Sequence, residues 1–269
     1  MRVVILDEKT DVDERAGQLL ARQIEAVPDS VLGLATGGTP VGAYNELLRI
    51  YEAGHLSFSQ CTTFNLDEYV GLPSDHAQSY RSFMMEHLFE KADFNLSRCH
   101  LPCPDLSNLE SSCEEYEAAI DDAGGIDLQL LGIGTDGHIA FNEPGSSLAS
   151  RTRVKALTHQ TRSDNARFFD KIDDVPKMAI TMGIATILEA ENILLLATGE
   201  KKAAAVRDTV EGPITASVPA TALQLHPNVT ILVDEPAAKL LDRKDYYQHV
   251  ESIQRELEQN VALDQRSHG

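Results

Sequence analysis

The chain has 269 residues, 42% of them hydrophobic and 24% charged, a balance that suits a soluble globular protein of one large α/β domain or two small ones. Its formal net charge of −19 argues against nucleic acid and anionic membrane surfaces as partners, and allows a phosphorylated substrate only where arginine, lysine or a helix amino end makes the site locally basic. No apolar run approaches the ~18 residues that span a bilayer, and the chain turns polar directly after Leu6, so no signal peptide or membrane segment is expected and the location is read as the cytoplasm.

In chain order, Val3 to Leu6 reads as a short buried strand. Thr10-Asp11 opens a helix with Ala16, Leu19, Leu20, Ile24 and Val27 at helical spacing. Val31 to Ala35 is the next strand and runs into Thr36-Gly37-Gly38-Thr39-Pro40. There Thr39 suits an N-cap and Pro40 the first position of a helix carrying Val41, Tyr44, Leu47, Leu48 and Tyr51. Such a junction either makes only a tight turn or aims backbone N–H groups at an anion, and neither Gly-x-Gly-x-x-Gly nor a Walker ending is present.

Cys61 to Leu66 is strand-like, and the carboxylates Asp67 and Glu68 follow it as either surface acids or a general base. Ser79 to Phe89 is amphipathic, and Leu109 to Ile120 is a helix started by Asp105-Leu106-Ser107-Asn108. Cys61, Cys99, Cys103 and Cys113 lack the paired spacing of a zinc site. They read as reduced thiols, with no metal expected.

An apolar run from Ile126 to Ile133 pours into a glycine turn that carries Asp136, His138 and Glu143 within eight residues. A histidine between carboxylates is either a surface turn or an acid/base group with orienting partners. Arg151 to Leu157 alternates as a strand with Arg151, Arg153 and Lys155 on one face, a solvated face or an anion site. Arg167 follows on an expected helix over Asn165 to Phe169. Pro176 to Met182 and Asn192 to Thr198 are further strands, with a short helix over Ile184 to Leu188 between them. The second strand ends in Thr198-Gly199-Glu200-Lys201-Lys202 before an alanine-rich helix. Lysine is unfavourable at a helix amino end unless an anion offsets it, which singles out Lys202. Thr221 to Leu225 and Val229 to Val233 are expected to close the sheet, and Lys244 to Leu257 to form a terminal helix.

Strands alternate with helices throughout, without a repeat or a Gly/Ser/Pro linker. This predicts one domain over residues 1–269: a doubly wound α/β fold of Rossmann-like kind, with a mainly parallel sheet and helices on both faces. The junctions after residues 35, 66, 133 and 198 would then converge on one sheet edge.

Thr36-Gly37-Gly38-Thr39-Pro40, Phe64-Asn65-Leu66-Asp67-Glu68-Tyr69, the run from Gly134 to Pro144, and Leu223-Gln224-Leu225-His226-Pro227 together resemble the glucosamine-6-phosphate deaminase (isomerase) family, in the family's order and over nearly the whole chain. The resemblance implies conversion of glucosamine 6-phosphate and water to fructose 6-phosphate and ammonia, in amino-sugar catabolism and without a cofactor. It places the proton-transfer base at Asp67 and ring opening at His138, with Asp136 and Glu143 as partners. The phosphate falls at Gly37, Gly38, Thr39, Arg167 and Lys202. It further implies a homohexamer and, in some members, activation by N-acetylglucosamine 6-phosphate. Ser146, Arg153 and Lys155 match that activator site. Ala156 stands where activated members commonly carry threonine, and the tail tyrosine is taken as Tyr246, with Tyr247 as the alternative. The rival readings are a 6-phosphogluconolactonase-like hydrolase, which needs no C2 base with a long histidine loop, and a sugar-phosphate sensor without turnover, which would carry a DNA-binding segment or lose catalytic carboxylates.

Overall fold

The computed structural model describes residues 1–166, 169 and 171–267, with residues 160, 164 and 259–267 described by backbone alone. Ten strands and eight α-helices alternate among them: β1 (Arg2–Leu6), α1 (Lys9–Ala26), β2 (Val31–Leu34), α2 (Val41–Glu52), β3 (Thr62–Asn65), β4 (Asp67–Tyr69), α3 (Tyr80–His87), β5 (Cys99–His100), α4 (Leu109–Asp122), β6 (Leu128–Gly132), β7 (Arg153–Ala156), α5 (His159–Asn165), β8 (Met178–Thr181), α6 (Ile184–Leu188), β9 (Asn192–Ala197), α7 (Ala203–Glu211), β10 (Val229–Asp234) and α8 (Lys244–Ser267).

Seven strands form one sheet in the order β1-β10-β9-β6-β2-β3-β5, and every pairing in it is parallel. The chain steps outward from β2 through β3 to β5, then restarts on the other side of β2 with β6, β9 and β10. The gap between β2 and β6 is therefore the topological switch point, where the carboxyl ends of an open α/β sheet leave a crevice. The inner strands are buried almost throughout, so they read as continuous apolar runs rather than alternating ones. α1 turns Val12, Ala16, Leu20 and Ile24 into the core at helical spacing. It approaches α2 closely because a Cβ at Gly17 would strike Glu46, and one at Gly42 would strike Asp13.

Two elements differ from the sequence expectation. Asp67 and Glu68 do not lie in a loop beyond a strand. The chain bends at Leu66 and re-enters as β4 in a second, three-stranded sheet, β4-β8-β7, whose pairings are antiparallel. Thr221 to Leu225 does not form a strand but belongs to a 3-10 turn spanning Pro219–Leu225. Pro219 lacks the N–H a ladder needs, and the Thr221 hydroxyl bonds to the carbonyls of Thr215 (3.0 Å) and Val218 (2.7 Å). Smaller offsets occur at helix ends: α2 begins at Val41 with Pro40 as its N-cap, and α5 ends at Asn165. No helix among the described residues is long and apolar enough to cross a membrane.

Candidate active site

A cavity of about 540 Å³ opens at the switch point, and it gathers all four junctions singled out by sequence. From β2 it takes Ala35 to Thr39; from β3 and β4, Leu66, Asp67 and Tyr69; from β6, Gly132 to Thr135 with His138, Ala140 and Phe141; and from the turn after β9, Lys202. α3 adds Tyr80, Phe83, Glu86 and His87, and the α5 region adds Thr161, Asn165 and Phe169.

Each junction has a local reason. Gly37 has φ +96°, which a side chain would strain, and neither Gly37 nor Gly38 has any atom within 4 Å of where a Cβ would stand. Their backbone is therefore open for close approach by a ligand. Tyr44 of α2 donates to the Ala35 carbonyl at 2.6 Å and Tyr116 of α4 to that of Asn65 at 2.6 Å, pinning helices to the ends of β2 and β3. After β9, Gly199 has φ +84° and its N–H reaches both carboxylate oxygens of Asp234 at 2.9 Å, which sets the turn that brings Lys202 to the cavity.

The histidine loop is the most constrained of the four. Gly134 N–H donates to the His138 carbonyl at 2.9 Å, and a Cβ at Gly134 would overlap the His138 ring. Gly137 has φ +80° and lies against Val218. Ala140, at φ +50°, is the one positive-φ residue other than glycine among the described residues, and it lines the cavity. Asn142 closes the loop by donating to the carbonyls of Ile139 (3.0 Å) and Met182 (2.9 Å). Phe141 N–H donates to the Thr181 hydroxyl at 3.0 Å. The loop thus spans both sheets.

Asp67 is 7% exposed, and no hydrogen bond reaches its carboxylate among the described residues. Burial, reinforced by the neighbouring charge of Glu68, pushes its carboxyl up to about 8. Glu68 has a different environment: it accepts from the backbone N–H groups of Tyr69 (2.8 Å), Tyr80 (3.0 Å) and Arg81 (2.9 Å). His138 Nδ1 lies 2.7 Å from Asp136 Oδ1. That hydrogen bond, above all, pulls the Asp136 carboxyl down to about 2. Asp136 is therefore an ionised acceptor, which assigns the proton to Nδ1 and leaves Nε2 as the basic nitrogen.

The remaining sequence-derived residues separate. Glu143 is buried, and its Oε1 accepts from the Thr161 hydroxyl (2.6 Å) and the Thr158 N–H (3.1 Å), because the amino end of α5 supplies donors there. Arg167 lies outside the described residues. Arg153 and Lys155 are alternate residues of β7 and share a face, whereas Arg151 is ion-paired with Glu117 (2.6 Å) and Glu189 (2.5 Å). Tyr246 is not grouped with Ser146, Arg153 and Lys155. It lines a second cavity with Arg2, Leu128, Asn192 and Thr230, at the amino edge of the sheet, because α8 is held there by ion pairs from Glu251 and Glu258 to Arg2. Gln224 and His226 are anchors: Gln224 donates to the carbonyls of Thr209 (2.8 Å) and Gly212 (2.9 Å), and His226 Nε2 bonds to that of Ala190 (2.7 Å). Sequence reasoning missed the α3 wall and Thr161; the one available signal was Glu68, which ties α3 down.

Comparison with known proteins agrees with this geometry. A model of glucosamine-6-phosphate isomerases and 6-phosphogluconolactonases matches residues 7–232. The glucosamine-6-phosphate deaminase of Shewanella woodyi is 51% identical over 262 residues, covering 97% of this chain and 99% of the relative. That of Rhodopirellula baltica is 54% identical over 244 residues, covering 91% and 97%. A solved structure described as a monomeric glucosamine-6-phosphate deaminase superposes with a TM-score of 0.87 at 49% identity, covering 89% of this chain and all of that one. The 6-phosphogluconolactonase of Trypanosoma cruzi, at 20% identity and a TM-score of 0.71 over 90% of this chain and 97% of its own, shares the fold alone. The chain belongs to the family of glucosamine-6-phosphate isomerases and 6-phosphogluconolactonases.

Proposed function

We propose that the chain converts glucosamine 6-phosphate and water into fructose 6-phosphate and ammonia. The observation that carries this reading is the pairing, in one cavity, of a buried carboxyl, Asp67, that takes no hydrogen bond among the described residues, with a histidine oriented by an ionised carboxylate. The phosphate is taken by the Gly37, Gly38 and Thr39 backbone with Lys202 and Arg167, at the positive end of the strand–turn–helix junctions. His138 Nε2 moves a proton between O1 and O5 to open the ring, and Asp136 steadies the imidazolium that forms. Asp67 as carboxylate removes the C2 proton and returns it to C1 while a proton passes from the amine to O1, leaving an imine at C2. Water adds there, and the C–N bond breaks to release ammonia. Glu143 is the further partner of His138 in the ring-opening step.

Two rivals are separated by one assay. Ammonia formed in step with fructose 6-phosphate, and no acid formed from 6-phosphogluconolactone, is the expected result. Lactone hydrolysis without ammonia release would replace this reading with the hydrolase one, and no turnover of either substrate would favour a sensor.

A second, narrower reading concerns regulation. Among the described residues the Ser146 hydroxyl is buried with no hydrogen-bond partner, which favours a ligand-facing role for it, and Arg153 and Lys155 share a face of β7. We read this group as an activator site for N-acetylglucosamine 6-phosphate in a cytoplasmic homohexamer, with Tyr246 reaching it only from another subunit. Light scattering gives the assembly. Saturation curves that superimpose with and without the acetylated sugar phosphate would remove the activator.

A further inference from the structure

Asp67 and Glu68 are neighbours in β4 that meet opposite fates. Asp67 lines the cavity without a hydrogen bond among the described residues, while both oxygens of Glu68, 5% exposed, accept backbone N–H groups. Tyr80 and Arg81 open α3, Ser82 N–H is taken by the Ser79 hydroxyl at 3.0 Å, and Phe83 N–H by the Ser79 carbonyl at 3.1 Å. Glu68 thus completes the amino end of α3 from another strand. Through that helix it holds Tyr80, Phe83, Glu86 and His87 against the cavity.

We infer that Glu68 is a positioning residue for the reaction: it ties the α3 wall to the strand that carries the base, and holds a fixed negative charge one residue from that base. The inference rests on Asp67 being the base. Burial raises the Glu68 carboxyl, but three N–H donors favour its charged form, and with both oxygens accepting, the ionised state is the one the geometry holds. Other groups face the pair: Glu86 and His87 on α3, His138 on the loop after β6 and Lys202 after β9 line the same cavity as Asp67. The hydroxyls of Tyr69 on β4, Tyr80 on α3 and Tyr116 on α4 are all pushed up by burial and stay neutral, and Arg81 on α3 is the cation beside Glu68. The β8 residues paired with β4, Ala179, Ile180 and Thr181, carry no charge, and Arg153 across from Thr181 on β7 is affected only by its own burial.

Two variants weigh tether against charge. Glu68→Gln keeps the length and loses the charge, and because its amide nitrogen cannot accept, it loses one side of the tether with it. Glu68→Asp keeps the charge and is one methylene too short to reach α3. Steady-state ammonia release from pH 6 to 9 is measured on both, on the wild type and on Asp67→Asn, with melting curves to establish folding. For Glu68→Gln the rising limb of kcat/KM should move to lower pH by about one unit. For Glu68→Asp the limb should stay in place while KM rises about tenfold. A folded Glu68→Gln that titrates with the wild type, or a Glu68→Asp with wild-type KM, overturns the inference. Should Glu68→Gln fail to fold, the KM of Glu68→Asp decides. An active Asp67→Asn would instead remove the reading beneath it.

Discussion

At the scale of single residues, the site rests on two carboxylates driven in opposite directions. Asp67 is raised to about 8 by burial and by Glu68, and Asp136 is lowered to about 2 by its bond to His138. In the proposed role of base Asp67 must be ionised, so activity should fall as pH drops below about 8. Stability should move the other way. The unfolded carboxyl ionises near 3.8 and the folded one near 8, so the native state holds the extra proton between them and loses stability as pH rises through that window. Asp67→Asn, which breaks no hydrogen bond among the described residues, should therefore melt higher than the wild type. The gain should grow from pH 4 to 8 and reach on the order of a few kcal/mol; a gain independent of pH would contradict the buried carboxyl. His138→Gln should lower kcat about a hundredfold on the closed sugar and much less on a rapidly opening analogue, and equal losses on both would take ring opening from His138. That Asp67 and His138 line one cavity was legible because each lies in a short, dense motif just past a strand. The position of Glu143 was not, because the donors that hold it, Thr158 and Thr161, come from a separate helix start.

At the scale of elements, the four strand ends were legible from apolar runs, three of them running into glycine, and they do meet at one edge. The second sheet was not, since β4 continues directly from β3 and only the register of Asp67 with Thr181 and of Tyr69 with Ala179 separates them. Nor was the 3-10 turn at Pro219–Leu225, whose apolar sequence hides a hydroxyl that competes for the backbone. The histidine loop offers a sharp test. Gly134→Ala places a methyl into the His138 ring, so kcat should drop about a hundredfold while the melting temperature changes little, because the ring and not the core yields. Wild-type kcat in this variant would mean that the ring's placement is immaterial.

At the scale of the whole molecule, a parallel sheet with its switch point between β2 and β6 brings residues far apart in sequence to one crevice. In a chain of net charge −19 the proposed phosphate site needs local positive charge, and the turns after β2 and β9, the second carrying Lys202, both open on this crevice. The central claim joins this architecture to one carboxylate, and exchange of the substrate C2 hydrogen with heavy water tests it most directly. The wild type should exchange that hydrogen during turnover of glucosamine 6-phosphate. Asp67→Asn should not exchange it, while still binding the sugar phosphate. Exchange that persists in Asp67→Asn would contradict the account.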